Sequence, residues 1–437
     1  MRAVSEAREG SEFGWKNCHG GICAPHGFTA GAVSAGLKKE GLDLVVLLSD
    51  RISSAAACFT GNRCAAAPVK LCREHLRQNK GWARAVLVNS GCANAATGFR
   101  GMQDARATVQ ALAGQLQVPA SSVLVCSTGV IGLPLEVDKI FGALPRCLQR
   151  LGRNRGRDAA RAIATTDTIL KIESICLQVK DGTIRIGGIA KGAGMIHPDM
   201  ATMLAFVTTD AAISPGRLQR ELHWCVDRSF NCITVDGDTS TNDTVIALAN
   251  GASGVAADEQ GAIMREGVGT RRGEGEPVVR TGMTVPMPLF RAGLLEVCQR
   301  LARKIAWDGE GATHHLEIQV SGARDFEQAR GVARAIGRSN LVKTAIYGHD
   351  PNWGRVLSAA GASGEDVSGS RMRLAVDGRV VAEQGVLKRI PDAVFLPIWK
   401  KKKIRFSLDL SLGDSSATCW SCDLSHKYID INASYRT

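Results

Sequence analysis

Aromatic side chains are scarce in this chain. Three tyrosines, seven tryptophans and eleven phenylalanines make up 5% of 437 residues, which argues against a site built from stacked aromatic platforms. Long apolar runs are missing too. None approaches the ~18 residues of a membrane span, so no membrane partner is expected. The stretch Met1–Gly20 lacks the apolar centre of a signal peptide. It carries Glu6, Glu9 and Glu12, against the acid-poor pattern of a transit peptide, so the expected compartment is the cytoplasm. Paired metal-ligand spacing is absent. The one Cys-x-x-Cys, Cys419-Trp420-Ser421-Cys422, has no second pair and no suitably spaced histidines, so it reads as structural and no metal is expected. The other cysteines sit singly, often in apolar runs (Cys126, Cys176, Cys225, Cys298), as reduced core cysteines do. The glycine-rich segment Gly267–Gly275 is not followed by Gly-Lys-Ser/Thr and is not a phosphate loop.

An acidic excess is also lacking. The net charge is +12, but the bases are dispersed over 146–161, 271–280, 324–338 and Lys400–Lys403, without aromatic interleaving or a helix-turn-helix pattern. A solvated basic surface that attracts anionic metabolites fits better than a nucleic-acid partner.

What the chain does have is glycine, 48 residues of it, and with it tight turns and backbone-built sites. Its length implies two or three lobes. Residues 1–25 read as irregular. The apolar patterns predict strands over Leu42–Ser49, Ala55–Thr60, Arg84–Val88, Ser122–Cys126, 172–179, 183–190, Met203–Val207, His315–Val320, 371–376 and 403–410. Helical periodicity covers Cys72–Gln78, Gln103–Leu116, Val137–Leu151, Pro215–Ser229, Leu289–Ile305 and Phe326–Arg338. Residues 343–361 are glycine-punctuated. Residues 251–286 have no periodicity and read as a surface loop or linker. Strands and helices mix without regular βαβ alternation, so the fold class is α+β.

Three short stretches carry chemistry. Asn89–Gly98 follows a strand with small polar residues that let backbone approach a ligand. Ser127-Thr128-Gly129 ends another strand with a hydroxyl and a backbone N–H, the two donors an oxyanion hole needs. Lys191–Phe206 is a Gly/Pro-shaped link between two strands that aims its backbone at Thr202. A threonine becomes a usable nucleophile when the chain is cut before it, because its freed amine then serves as base. On spacing alone, a glycine turn between two strands with a satisfied hydroxyl is the better reading of the same stretch. The run Asp236–Thr244 lacks the twelfth-position glutamate of a calcium loop and reads as a polar turn near a site.

Lys191–Phe206 resembles the autocleavage and nucleophile motif of the glutamate N-acetyltransferases, also called ornithine acetyltransferases, of arginine biosynthesis. Asn89–Gly98, Ser127–Gly132, Thr165–Thr168, Asp236–Asp243, Asp308–Thr313, Leu341–Arg355 and Asp423–Thr437 are similar to further blocks of that family, in family order. The resemblance implies a layered sandwich of helices around sheets, N-terminal-nucleophile-like and self-cleaved. The cut falls between Ala201 and Thr202 and yields an α chain, 1–201, and a β chain, 202–437. It implies Thr202 as nucleophile, Thr128 and Gly129 as oxyanion pair, and Thr165, Lys191, Thr202, Glu310, Asn432 and Thr437 as substrate contacts. It implies acetyl transfer from N2-acetylornithine to glutamate through an acetyl-Thr202 ester, without a cofactor, in an α2β2 heterotetramer. Acetyl-CoA would be a co-substrate if the enzyme is bifunctional. Cys92 and Ala193 depart from the family's common Asn and Ser; both are small. Two other readings stand: a self-processing N-terminal-nucleophile amidase or aminopeptidase, and a non-enzymatic basic binding protein.

Overall fold

The computed structural model describes residues 14–179, 182–197, 203–257 and 284–434. Fifteen strands form two sheets among these residues. The larger sheet contains β1 (Trp15–Asn17), β2 (Phe28–Val33), β3 (Leu44–Phe59), β4 (Trp82–Cys92), β5 (Val123–Val130), β6 (Lys171–Val179), β7 (Gly182–Lys191), β8 (Leu204–Thr209) and β9 (Thr244–Ala249). Its order is β1-β6-β7-β8-β9-β3-β4-β5, with β2 on β3. The smaller sheet contains β10 (His315–Ala323), β11 (Arg373–Val376), β12 (Arg379–Glu383), β13 (Val386–Leu387), β14 (Lys403–Asp409) and β15 (Ser415–Cys422), ordered β13-β12-β11-β14-β10-β15. The helices are α1 (Ala67–Gln78), α2 (Gly98–Leu116), α3 (Val137–Gln149), α4 (Gly156–Ile163), α5 (Pro215–Asp227), α6 (Met287–Trp307), α7 (Phe326–Arg338), α8 (Asn340–Tyr347), α9 (Gly354–Gly361), α10 (Leu396–Trp399) and α11 (His426–Ala433).

The larger sheet is covered on both faces. On β8, Leu204 and Phe206 belong to the core that includes Leu71, Leu112, Ile140 and Ile163 of α1–α4. Ala205 and Val207 belong to the opposite core, with Leu222 of α5 and Leu294 and Leu301 of α6. A strand buried on both sides needs apolar residues at every position, which explains the continuous run after Thr202. The smaller sheet packs on α7 through Leu316, Ile318, Ala333 and Ile336. The architecture is mixed α/β, sheets layered with helices, as the α+β expectation has it. No helix among the described residues is long and apolar enough to cross a membrane.

Several boundaries differ from expectation. Leu42–Ser49 and Ala55–Thr60 are not two strands but one, β3, with a register shift between Leu48 and Ser53. The polar residues of that shift interrupt the apolar pattern without interrupting the backbone. The strands expected to stop at Val88 and Cys126 run on to Cys92 and Val130. Their parallel pairing carries them into the polar segments, Ser90 against Thr128 and Gly91 against Gly129. Residues 1–25 were expected to be irregular, yet Trp15–Asn17 is a strand antiparallel to β6. Residues 343–361 hold most of α8 and all of α9. Cys419 and Cys422 lie three apart on β15 and so face opposite sides. One joins the core under the smaller sheet, the other the core under the larger, and both are free thiols, which agrees with a structural reading. Most of 251–286 lies outside the described residues, as do Ala201, Thr202 and Thr437.

One close approach is directly testable. A Cβ on Gly187, midway along β7, would collide with the Gly21 carbonyl oxygen. Gly187→Ala should destabilise the protein by about 2 kcal/mol, read as a lowered denaturant midpoint with an unchanged slope.

Candidate active site

A cavity of about 400 Å³ opens where β5, β7, the 165–166 turn, the Asp236–Thr244 loop and α11 converge. Its wall contains Thr128, Gly129, Thr165, Lys191, Glu310 and Asn432. These are all the described members of the set that the resemblance singled out. The wall also contains Ala93, Ser240 and Asn242, which sequence reasoning did not single out as site residues.

Strand geometry sets the first arm. β4 and β5 run parallel to their ends, and a bulge at Gly91/Cys92 faces Thr128 and Gly129. Gly129 has φ +132°, and a Cβ there would strike the Gly91 carbonyl. Only glycine fits such a backbone beside so close a neighbour. Lys191, the last residue of β7, donates from Nζ to Thr128 Oγ1 at 3.1 Å. A hydroxyl that accepts from an ammonium turns its own hydrogen elsewhere, and Thr128 is thereby a donor toward the cavity. Burial pushes the Lys191 ammonium below the usual lysine range, opposed first by the nearby Asp167 carboxylate and then by Glu310.

The opposite wall carries the anion. Glu310 Oε2 accepts from Asn432 Nδ2 at 2.8 Å, and the Glu310 N–H donates to the Ala193 carbonyl at 2.9 Å. A Cβ on Gly194 would collide with the Glu310 carboxylate, so that glycine leaves the carboxylate its place. A cation and an anion thus sit in one cavity, a suitable pairing for the carboxylate and ammonium of an amino acid.

Beneath both lies a buried ion cluster. Lys171, fully buried at the start of β6, bridges Asp167 and Asp308. Asp167 also accepts from the N–H of Gly192 at 2.8 Å and of Thr165 at 3.0 Å. Asp308 accepts from the N–H of Thr168 at 3.0 Å. Burial would raise the Asp167 carboxyl, but the Lys171 and Lys191 ammonium groups hold it below the ordinary range. Nothing in the local sequence separates Lys171 from a solvated lysine at a strand edge; its second partner is 137 residues away.

The polar loop holds Met195, Ile196 and Met203 by their backbone N–H groups. Asp236 accepts from the N–H of Met195 and, at 2.8 Å, of Ile196. Asp243 accepts from the Met203 N–H at 2.9 Å. Between them, Asn242 donates to the carbonyls of Ala93 at 2.6 Å and Ser127 at 2.9 Å. The reading of Asp236–Thr244 as a polar turn near a site holds.

Comparison with known proteins identifies the family. The family model described as "ArgJ family" matches residues 29–437. The chain belongs to the ArgJ family. It is 42% identical to the arginine biosynthesis bifunctional protein ArgJ of Caldanaerobacter subterraneus subsp. tengcongensis, over 96% of this chain and 99% of that one. It is 44% identical to the protein of the same name from Thermosynechococcus vestitus, over 97% and 99%. Among solved structures, the ornithine acetyltransferase of Mycobacterium tuberculosis complexed with ornithine is 37% identical, with a TM-score of 0.38, covering 42% of this chain and 98% of that one. The ArgJ match takes in both walls of the cavity, from Thr128 to Asn432.

Two outcomes follow for the ion cluster. Lys171→Met leaves two buried carboxylates uncompensated and should cost about 3–5 kcal/mol of stability in chemical denaturation. Because the folded Asp167 carboxyl is depressed, its stabilisation is fully present above its unfolded value, about pH 4, and is lost as pH falls through its lower folded value. Asp167→Asn should therefore flatten the acid limb of the stability profile.

Proposed function

We propose that this protein transfers the acetyl group of N2-acetylornithine to glutamate, giving ornithine and N-acetylglutamate, by ping-pong catalysis on Thr202. The observation that carries this reading is the single cavity that gathers Thr128, Gly129, Thr165, Lys191, Glu310 and Asn432. Membership of the ArgJ family makes the protein an acyltransferase of arginine biosynthesis.

The chain is cut between Ala201 and Thr202 into the α chain 1–201 and the β chain 202–437. The freed Thr202 amine takes the proton from the Thr202 hydroxyl as Oγ attacks the acetyl carbonyl. The tetrahedral oxyanion receives the Thr128 hydroxyl hydrogen and the Gly129 N–H; one such donor is worth ~3 kcal/mol of barrier. The C–N bond to ornithine breaks, its leaving amine takes the proton, and the acetyl group stays as an ester on Thr202. The glutamate amine then attacks the ester carbonyl, returns its proton to Thr202 Oγ, and leaves as N-acetylglutamate. Thr165, Lys191, Glu310, Asn432 and the terminal Thr437 hold the amino-acid groups. The cycle uses no metal or cofactor. Two α and two β chains form the working particle, in the cytoplasm. The relatives' name, "bifunctional", supports a second activity, for which we assign acetyl-CoA as the donor.

Denaturing electrophoresis and acetyl-transfer assays test the reading. Wild type should give two fragments and transfer acetyl from N2-acetylornithine to glutamate, with a Thr202-containing peptide heavier by one acetyl group when glutamate is withheld. Thr202→Ala should stay one chain without turnover. An active Thr202→Ala protein, or acetyl release to water at the same rate without glutamate, would sink the mechanism; the latter favours an amidase. Adding acetyl-CoA in place of N2-acetylornithine decides the second activity.

Lys191 gives a pH signature. Its ammonium is lost as pH rises through a value below the usual lysine range. The KM for N2-acetylornithine should therefore climb on the alkaline side well before an ordinary lysine titrates. Lys191→Met should cost about 100-fold in kcat/KM, having lost both a charge-assisted contact and the partner that turns the Thr128 hydroxyl.

A further inference from the structure

Asp243 is fully buried, yet the acetyl-transfer cycle gives it no task. It ends the polar loop one residue before β9, a strand parallel to β8 with Thr244 against Leu204. One carboxyl oxygen accepts the Met203 N–H at 2.9 Å, and the Met203 carbonyl accepts the Thr244 N–H at 3.1 Å. Met203 is therefore held on both of its backbone groups by two consecutive residues of the loop. It is also the residue bonded directly to Thr202. The other carboxyl oxygen of Asp243 is buried and makes no hydrogen bond of good geometry, although the Thr60 hydroxyl and the Ser240 N–H lie near the carboxyl and favour its charged form.

The neighbour of Asp243 works on the other half of the centre. Asn242 donates to the Ser127 carbonyl, which belongs to the peptide unit that leads into Thr128. Two adjacent side chains thus hold the peptide after Thr202 and the peptide before Thr128. A loop built this way fixes the strand that follows Thr202 against the strand that carries Thr128 and Gly129.

We propose that Asp243 is a positioning residue for the acetyl-transfer reaction, setting the nucleophile strand against the oxyanion strand through the Met203 N–H. The inference rests on Thr202 being the nucleophile. Burial pushes the Asp243 carboxyl well above the carboxylate range, against the bond from Met203 N–H, the charge of Lys191, the Thr60 hydroxyl and the Ser240 N–H. A neutral acid is the form such a site favours. Asparagine has the same size, is neutral and keeps an acceptor oxygen for Met203, so it should replace Asp243 in a positioning role. It could not replace a carboxylate acting as a base.

The test compares full-length wild type, Thr202→Ala, Asp243→Ala and Asp243→Asn for self-cleavage, melting temperature and steady-state acetyl transfer per cleaved chain. A displaced nucleophile typically loses ~100-fold in rate, so Asp243→Ala should lose that much in kcat while the KM for N2-acetylornithine stays within ~3-fold. A slowed self-cleavage supports the same role, since the cut uses the same hydroxyl. Asp243→Asn should recover most of the loss. Wild-type kcat in Asp243→Ala overturns the inference, and so does a folded Asp243→Asn as slow as Asp243→Ala. If Asp243→Ala does not fold, Asp243→Asn decides alone: kcat within ~10-fold of wild type supports positioning, and a ~100-fold loss in folded protein overturns it. Turnover by Thr202→Ala would instead bring down the nucleophile assignment itself.

Discussion

The buried bridge of Lys171 to Asp167 and Asp308 is the contact on which the site depends. Removing three charges from water is unfavourable, and mutual attraction offsets that only where geometry is good and the remaining lone pairs are bonded. Here the two carboxylates also take the N–H groups of Gly192, Thr165 and Thr168. Those N–H groups belong to the 165–168 turn and to the residue after Lys191. Asp308 itself begins the segment that carries Glu310. One buried ammonium therefore ties together three walls of the cavity. Its contribution to net stability is secondary to this. An apolar core in its place could hold β6 but could not orient backbone amides.

The same electrostatic frame sets the charge state of the groups above it. Asp167, held ionised, is the largest influence opposing the loss of charge that burial imposes on Lys191. Lys191 in turn helps depress Asp167. A buried lysine with no such neighbour would shed its proton more easily and lose its grip on an anionic substrate. Asp243, where burial outweighs the Met203 N–H bond and the charge of Lys191, goes the other way. Two aspartates in one site are pushed in opposite directions by their surroundings, which lets one serve as a fixed charge and the other as a neutral hydrogen-bonding group.

How far the sequence revealed this varies with the range of the forces involved. α7 was legible to the residue, Phe326–Arg338, because its start is local: the Asp325 side chain accepts the Gln328 N–H and fixes the first turn. Leu289–Ile305 was legible in type and short at both ends, since Met287 and Trp307 extend it beyond the periodic residues. The ends of β4 and β5 were not legible. Their last residues, Asn89–Cys92 and Ser127–Val130, are polar or small, and only the pairing of one strand with the other keeps them extended. The residues that the motifs pointed to, where they lie among the described ones, line one cavity. Lys171 and Asp243 were missed because their roles come from tertiary neighbours, not from their own segment.

Strand order also bears on how a cut at Ala201–Thr202 fits this fold. β8 and β9 come after the cut, yet they lie between β7 and β3, which come before it. β7 pairs with β8 from Ile186–Thr209 to Lys191–Leu204, and β9 pairs with β3 from Ser54–Ala249 to Phe59–Thr244. The helices over the two faces are likewise split, α1–α4 before the cut and α5 and α6 after it. Neither piece could bury its strands alone, so cleavage of a folded chain would leave both pieces locked in one sheet. Cleavage before folding would require strands from separate chains to find one another, at the added entropy of association. A self-processing reaction that waits until β5, β7 and the Asp236–Thr244 loop have come together avoids that difficulty.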